Sequence, residues 1–171
     1  MTWQKVWNQI KRIMDKNEIE TIEELDEVFD GTQTIYNWST DFSQELLNMS
    51  RQKKDFLQNR LTFYTEYLER TADLSEDNAK TMKADLAQTY FEIGQAQKGE
   101  KLFQELTTDY PTWGWGWIFW SDVYGVFAED TDKDFNRALK ILNEALTVKG
   151  LEDKEDIRDR MELTKKEMKK E

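Results

Sequence analysis

Apolar side chains recur at helical spacing along almost the whole chain. In residues 2–16, Trp3, Val6, Trp7, Ile10, Ile13 and Met14 follow the i, i+3, i+4, i+7 pattern, with Lys5, Lys11 and Arg12 on the other side. This predicts an amphipathic terminal helix packed on the domain, in preference to one lying on a membrane surface. A short helix is expected from Ile22 to Phe29. Thr21 would cap it, with Glu24 three residues later in a capping box, and Asp30-Gly31 would break it. Over residues 32–50, Ile35, Trp38, Phe42, Leu46 and Met49 form one stripe. Residues 54–72 carry two, Leu57–Leu61–Tyr64–Leu68 and Phe56–Phe63–Tyr67, as a helix sandwiched between neighbours does. "DLSEDN" (73–78) reads as a connector in which Ser75 caps the next helix. Five further helices are expected at about 76–93, 96–109, 114–127, 134–147 and 152–169.

Composition agrees with this pattern. The 171 residues include one proline and seven glycines, which leaves little punctuation for many short elements. Glu, Lys, Leu and Gln are abundant, as all-helical chains require. The expected fold is all-α with about eight or nine helices, in one domain spanning 1–171.

Two segments share a finer spacing. In "LAQTYFEIGQAQKGEKLFQELTTDYP", Leu86, Ala87, Tyr90, Gly99, Phe103 and Leu106 precede Pro111 at intervals that resemble the tetratricopeptide repeat, a helix–turn–helix unit of 34 residues. With Pro111 at position 32 the unit begins at Lys80. Small residues at positions 8 and 20 (Ala87, Gly99) let two helices approach. Large ones at 7, 11 and 24 fill the space between them. A second unit begins at Gly114, with Trp117, Trp120, Ser121 and Tyr124 at positions 4, 7, 8 and 11. Ala138, Leu142 and Ala145 match positions 20, 24 and 27 once five extra residues are placed in the turn within "VFAEDTDKD". Lys83, Gly99 and Leu106 depart from the family's usual Trp and alanines.

The resemblance implies a right-handed stack of antiparallel helix pairs. Residues 1–75 would hold the N-terminal helices, in which 32–50 and 54–72 could form a degenerate earlier repeat of unfixed register, with repeats at 80–113 and 114–151 and a polar capping helix at 152–171. It also assigns the four tryptophans of "PTWGWGWIFWSDVYG" (111–125). Trp117 and Trp120 belong to the core, and Trp113 packs in the connector. Trp115 faces the concave groove that members of this family use to hold peptides. Ile118, Asp122 and Val126 would share that groove in the second unit, and Thr81, Ala84, Gln88 and Phe91 in the first. More narrowly, "DYPTWGWGWIFWSDVYG" and "YNWSTDFSQELLNM" resemble the repeat region of bacterial proteins that carry a C-terminal SEC-C zinc-binding motif. That motif needs clustered cysteines and this chain has none, so no zinc role is implied.

Charge and missing residue types narrow the chemistry. A net charge of −11 disfavours phosphate backbones as partners. Cys and His are both absent, which removes thiolate sites, disulfides, the commonest zinc ligand and the commonest general base. "TIEELDEVFDGTQTIYNW" (21–38) has the outline of a DNA-reading helix–turn–helix offering Gln33, Thr34 and Asn37. Residues 20–50, however, hold eight acids and no Lys or Arg to meet phosphates. Asp130, Asp132 and Asp134 match the first ligand spacings of a calcium loop. Phe135 and Ile141 then stand where the loop needs Gly and Glu. "WGWGW" lies between helices and lacks the lysine of a phosphate loop. No apolar run is long enough to span a bilayer and no signal-peptide block opens the chain, so a cytoplasmic location is expected.

These readings lead to a non-catalytic, cofactor-free module that binds a protein or peptide in its groove. A structural or homodimerising helical domain is the alternative, and a DNA-binding regulator acting through residues 21–50 a weaker one.

Overall fold

A computed structural model describes residues 3–29, 31–71, 75–128 and 133–170. Among these the chain is all-α, with helices α1 (Trp3–Asn17), α2 (Ile22–Val28), α3 (Ile35–Ser50), α4 (Asp55–Arg70), α5 (Glu76–Glu92), α6 (Ala96–Asp109), α7 (Gly114–Asp122), α8 (Phe135–Ala145) and α9 (Lys154–Met168), and no strand. No described helix is long and apolar enough to cross a membrane. The backbone parts into two compact units, Met1–Ala79 and Lys80–Glu171.

In the first unit, α3 and α4 form a hairpin about the turn at 51–54. Phe63 of α4 lies at its centre, ringed by Trp7, Trp38, Phe42, Tyr64 and Tyr67 at centroid distances of 4.8–6.3 Å. Four of the apolar positions read as the α3 stripe are buried (Ile35, Trp38, Phe42, Leu46), whereas Met49 is exposed. α1 lays Trp7, Ile10 and Met14 into this core. It is tied to α4 through Glu66, which accepts from Trp7 Nε1 and Lys11 Nζ, both at 2.7 Å. Thr21 caps α2 as its spacing predicts, accepting from Glu24 N–H at 3.2 Å, and Glu24 in turn accepts from Glu20 N–H. Asp30, expected to break α2, lies outside the described residues.

The second unit contains α6 to α9 and most of α5. Its close approaches use small side chains. A Cβ on Gly99 of α6 would stand 2.5 Å from the Phe91 ring and 2.6 Å from the Ala87 carbonyl oxygen, so only glycine lets α6 seat against α5. Between these helices Gly94 takes φ +76°, with Gln95 N–H donating to Tyr90 O and Gly94 N–H to Phe91 O. That is a left-handed helix stop, which a residue without Cβ adopts freely. Ser75 accepts from Asn78 N–H at the start of α5.

α7 is shorter than its apolar pattern predicts, ending at Asp122 instead of near residue 127. Beyond it the chain tightens, with Tyr124 N–H donating to Ser121 O and Gly125 N–H to Asp122 O, and the Tyr124 carbonyl accepts at 2.7 Å from the N–H of Asp134, the residue that caps α8. Asp134 accepts from Arg137 N–H, which is its use here; Asp130 and Asp132 of the calcium-like spacing lie outside the described residues.

Candidate functional site

The four clustered tryptophans are used in three different ways. Trp117 and Trp120 are core, at 6% and 9% exposure. Trp117 Nε1 donates to the Pro111 carbonyl at 3.0 Å and Trp120 Nε1 to Glu100 Oε2 at 3.0 Å. Trp113, half-buried, covers Gly116 and lies beneath the Lys80 ammonium, 5.5 Å from the ring centroid. Trp115 is 37% exposed. Its ring meets Phe119 at 5.8 Å, and its indole N–H has no acceptor among the described residues.

Helical phase explains the division, since each residue turns by about 100°. One row of α7 faces α9. Gly114 approaches Glu152 and Asp153, Asp122 pairs with Arg160, and Gly125 just beyond the helix approaches Thr164. A second row, Trp117, Trp120 and Tyr124, faces α6 and α5. The third side carries Trp115, Phe119 and the C-cap Val123, and no described helix covers it fully.

Three residues expected to line a groove are therefore placed differently. Ile118 is 1% exposed and Asp122 2%, because both lie on the row that α9 covers. Ala84 is 0% exposed, so it offers nothing to a ligand. Phe91 is half-buried between Gly99, Phe103 and Tyr124. Gln88, Thr81 and Val126 are half-buried, with Val126 in the turn after α7. The open row is rotated by one residue from the expected one. Phe119, four residues from Trp115, is the member that the repeat template misses; plain i, i+4 spacing would have found it.

Two carboxylates organise the surroundings of α7. Glu100 accepts from Trp120, from Tyr124 OH at 2.5 Å and from Arg137 Nη2 at 2.5 Å, and so joins α6, α7 and α8. Burial opposes its charge, but these hydrogen bonds and the Arg137 charge together hold its carboxyl below the usual range. The Tyr124 phenol is pushed up, by burial first and then by its bond to Glu100. Asp122 is the opposite case. Burial pushes its carboxyl up to about 6 despite the hydrogen bond and charge of Arg160. Its Oδ1 has no hydrogen-bond partner. Arg160 also lies over the ring of Phe127, which is 71% exposed. Neither carboxylate had a signal in the sequence, since their partners lie 20 to 38 residues away.

Nothing in this arrangement assembles a metal centre: no group of three or more metal-competent side chains occurs among the described residues. In the segment with the DNA-binding outline, Thr34 caps α3 by accepting from Asn37 N–H, and Gln33 donates to Asp41 at 3.1 Å. No protein-family model, no curated protein and no solved structure matches the chain.

Proposed function

We propose that the chain is a non-catalytic module of tetratricopeptide-like architecture that binds a protein or peptide on the open side of α7. The observation that carries this reading is Trp115. It is a large ring at the surface with a free N–H donor, beside a second ring and surrounded by tryptophans that are all engaged internally. Amphipathic aromatics held rigidly in this way are the commonest anchors of protein interfaces.

Contact register supports the repeat-like architecture. Lys80 meets Trp113 and Phe91 meets Tyr124, each pair 33 residues apart. Gly114 meets Asp153 and Gly125 meets Thr164, 39 residues apart, with Asp122 and Arg160 separated by 38. Such offsets are what parallel α5, α7 and α9, with α6 and α8 returning between them, would give. The step grows from 33 to 38 or 39, close to the five extra turn residues that the repeat pattern places between α7 and α8.

The alternative is a homodimer that covers Trp115 and Phe119 with a second copy. Sedimentation velocity at micromolar concentration separates the two. A monomer, with binding of an added partner weakened by Trp115→Ala, is the expected result. A dimer that Trp115→Ala dissolves would replace the module reading with the structural one.

A further inference from the structure

The open side of α7 is bordered by α9, and α9 is charge-segregated. For two parallel helices, residues one step after the contact row on the first and one step before it on the second border the same side of the pair. On α7 the step after Gly114, Ile118 and Asp122 gives Trp115, Phe119 and Val123. On the α9 segment the step before Asp153, Ile157, Arg160 and Thr164 gives Glu152, Asp156, Asp159 and Leu163, all exposed. The step after the contact row gives Lys154, Arg158, buried Met161 and Lys165, so the exposed members of the opposite flank are basic.

The acids on the open side are not neutralised locally. Among the described residues Asp156 and Asp159 make no ion pair. The two arginines of that half of α9 are already engaged, Arg158 with Glu155 and Arg160 with Asp122. Aromatic and aliphatic surface therefore runs beside a row of uncompensated carboxylates, in a chain of net charge −11.

We propose that this side takes a cationic amphipathic peptide segment, with an apolar anchor against Trp115 and Phe119 and its lysines or arginines facing Glu152, Asp156 and Asp159. The inference rests on the module reading above and adds the chemistry of the partner. Rim charges of this kind act mainly on association rate and partner choice, and salt screens them.

The test uses the full chain and three labelled synthetic peptides of about 12 residues, long enough for three helical turns. One places Leu and Phe anchors among lysines, one has the same anchors among glutamates, and one has lysines with no apolar anchor. Fluorescence anisotropy is expected to show the lysine–anchor peptide binding at least about tenfold tighter than either other peptide, with affinity falling as salt rises. Trp115→Ala should weaken it about tenfold or more. The double variant Asp156→Lys, Asp159→Lys, both at exposed positions, should remove or invert the preference for lysine over glutamate. Equal binding of the lysine and glutamate peptides, both lost in Trp115→Ala, would overturn the charge inference and leave the module reading standing. Failure of all three peptides to bind overturns the inference as well. If a wild-type dimer dissolved by Trp115→Ala accompanies that failure, the occupant is a second copy and the module reading falls too.

Discussion

The two units solve the same packing problem with different chemistry. Each holds a tryptophan N–H against a half-buried glutamate with a cation beside it: Trp7, Glu66 and Lys11 in one, Trp120, Glu100 and Arg137 in the other. Their helix seams differ. The first unit brings α3 to α4 through serines, and Ser43 Oγ donates to Tyr64 OH at 2.5 Å while accepting from buried Arg60 Nε at 3.0 Å. Its aromatic rings gather into one cluster around Phe63. The second unit closes its seams with Gly99, Ala87, Gly125 and Ala138, and spreads its rings along successive helices. Small apolar residues at fixed intervals can be repeated from pair to pair. A satisfied polar network such as that of Ser43, Tyr64 and Arg60 is bound to one place.

The largest effects should come from the rings that define each core. Phe63→Ala in the first unit and Trp117→Ala in the second should each cost about 3–5 kcal/mol, measured by urea unfolding. Trp115→Ala should cost well under half of that, because its ring keeps much of its contact with water. A loss equal to that of Trp117→Ala would show that Trp115 is a core residue and would remove the open side of α7.

Acid titration should separate the carboxylates by sign. The folded-state carboxyl of Asp122 lies at about 6, above its unfolded value of 3.8. Its contribution is thus fully present below about pH 4 and lost as pH rises through 6, a difference of up to about 3 kcal/mol. Asp122→Asn keeps an acceptor for Arg160 and should flatten that dependence, leaving the protein as stable as wild type or more so at pH 8. Glu66 and Glu100 are both held low by their partners against the cost of burial. Their stabilisation should instead be lost as pH falls below the ordinary carboxylate range, and Glu100→Gln should blunt that acid loss. An Asp122→Asn protein with an unchanged stability profile between pH 4 and 7 would show that this carboxylate is not buried as described.

The seams themselves should respond more moderately. Gly99→Ala forces a Cβ against a backbone carbonyl and should cost about 1–3 kcal/mol. Ser43→Ala leaves Tyr64 and Arg60 to rearrange in a buried site and should cost a similar amount, about 1–3 kcal/mol. A neutral Gly99→Ala would mean that α5 and α6 do not need close approach.

The smallest expected pair concerns helix stops. α1 ends with Glu18 at φ +54°, with Ile19 N–H donating to Met14 O, much as α5 ends with Gly94 at φ +76°. Glu18→Gly should therefore stabilise the first unit by about 1 kcal/mol, whereas Gly94→Ala should destabilise the second by about the same. Thermal unfolding of both variants reads the difference.

What the sequence determined by itself was local. The nine helices seen among the described residues, most of their ends to within two or three residues, and the Thr21 cap follow from apolar spacing and capping residues, which act within a few turns of chain. The burial of Trp117 and Trp120 was what the repeat resemblance implied. Tertiary structure decided which flank of α7 stays open. That choice depends on α9, nearly 40 residues further on, packing against the row of Gly114, Ile118 and Asp122. No window of sequence contains both helices, so Asp122 reads as an exposed groove acid until Arg160 covers it, and Phe119 reads as filler until its row is the one left uncovered. Glu66 and Glu100 acquire their bonds in the same way, from partners brought near only when the helices pack.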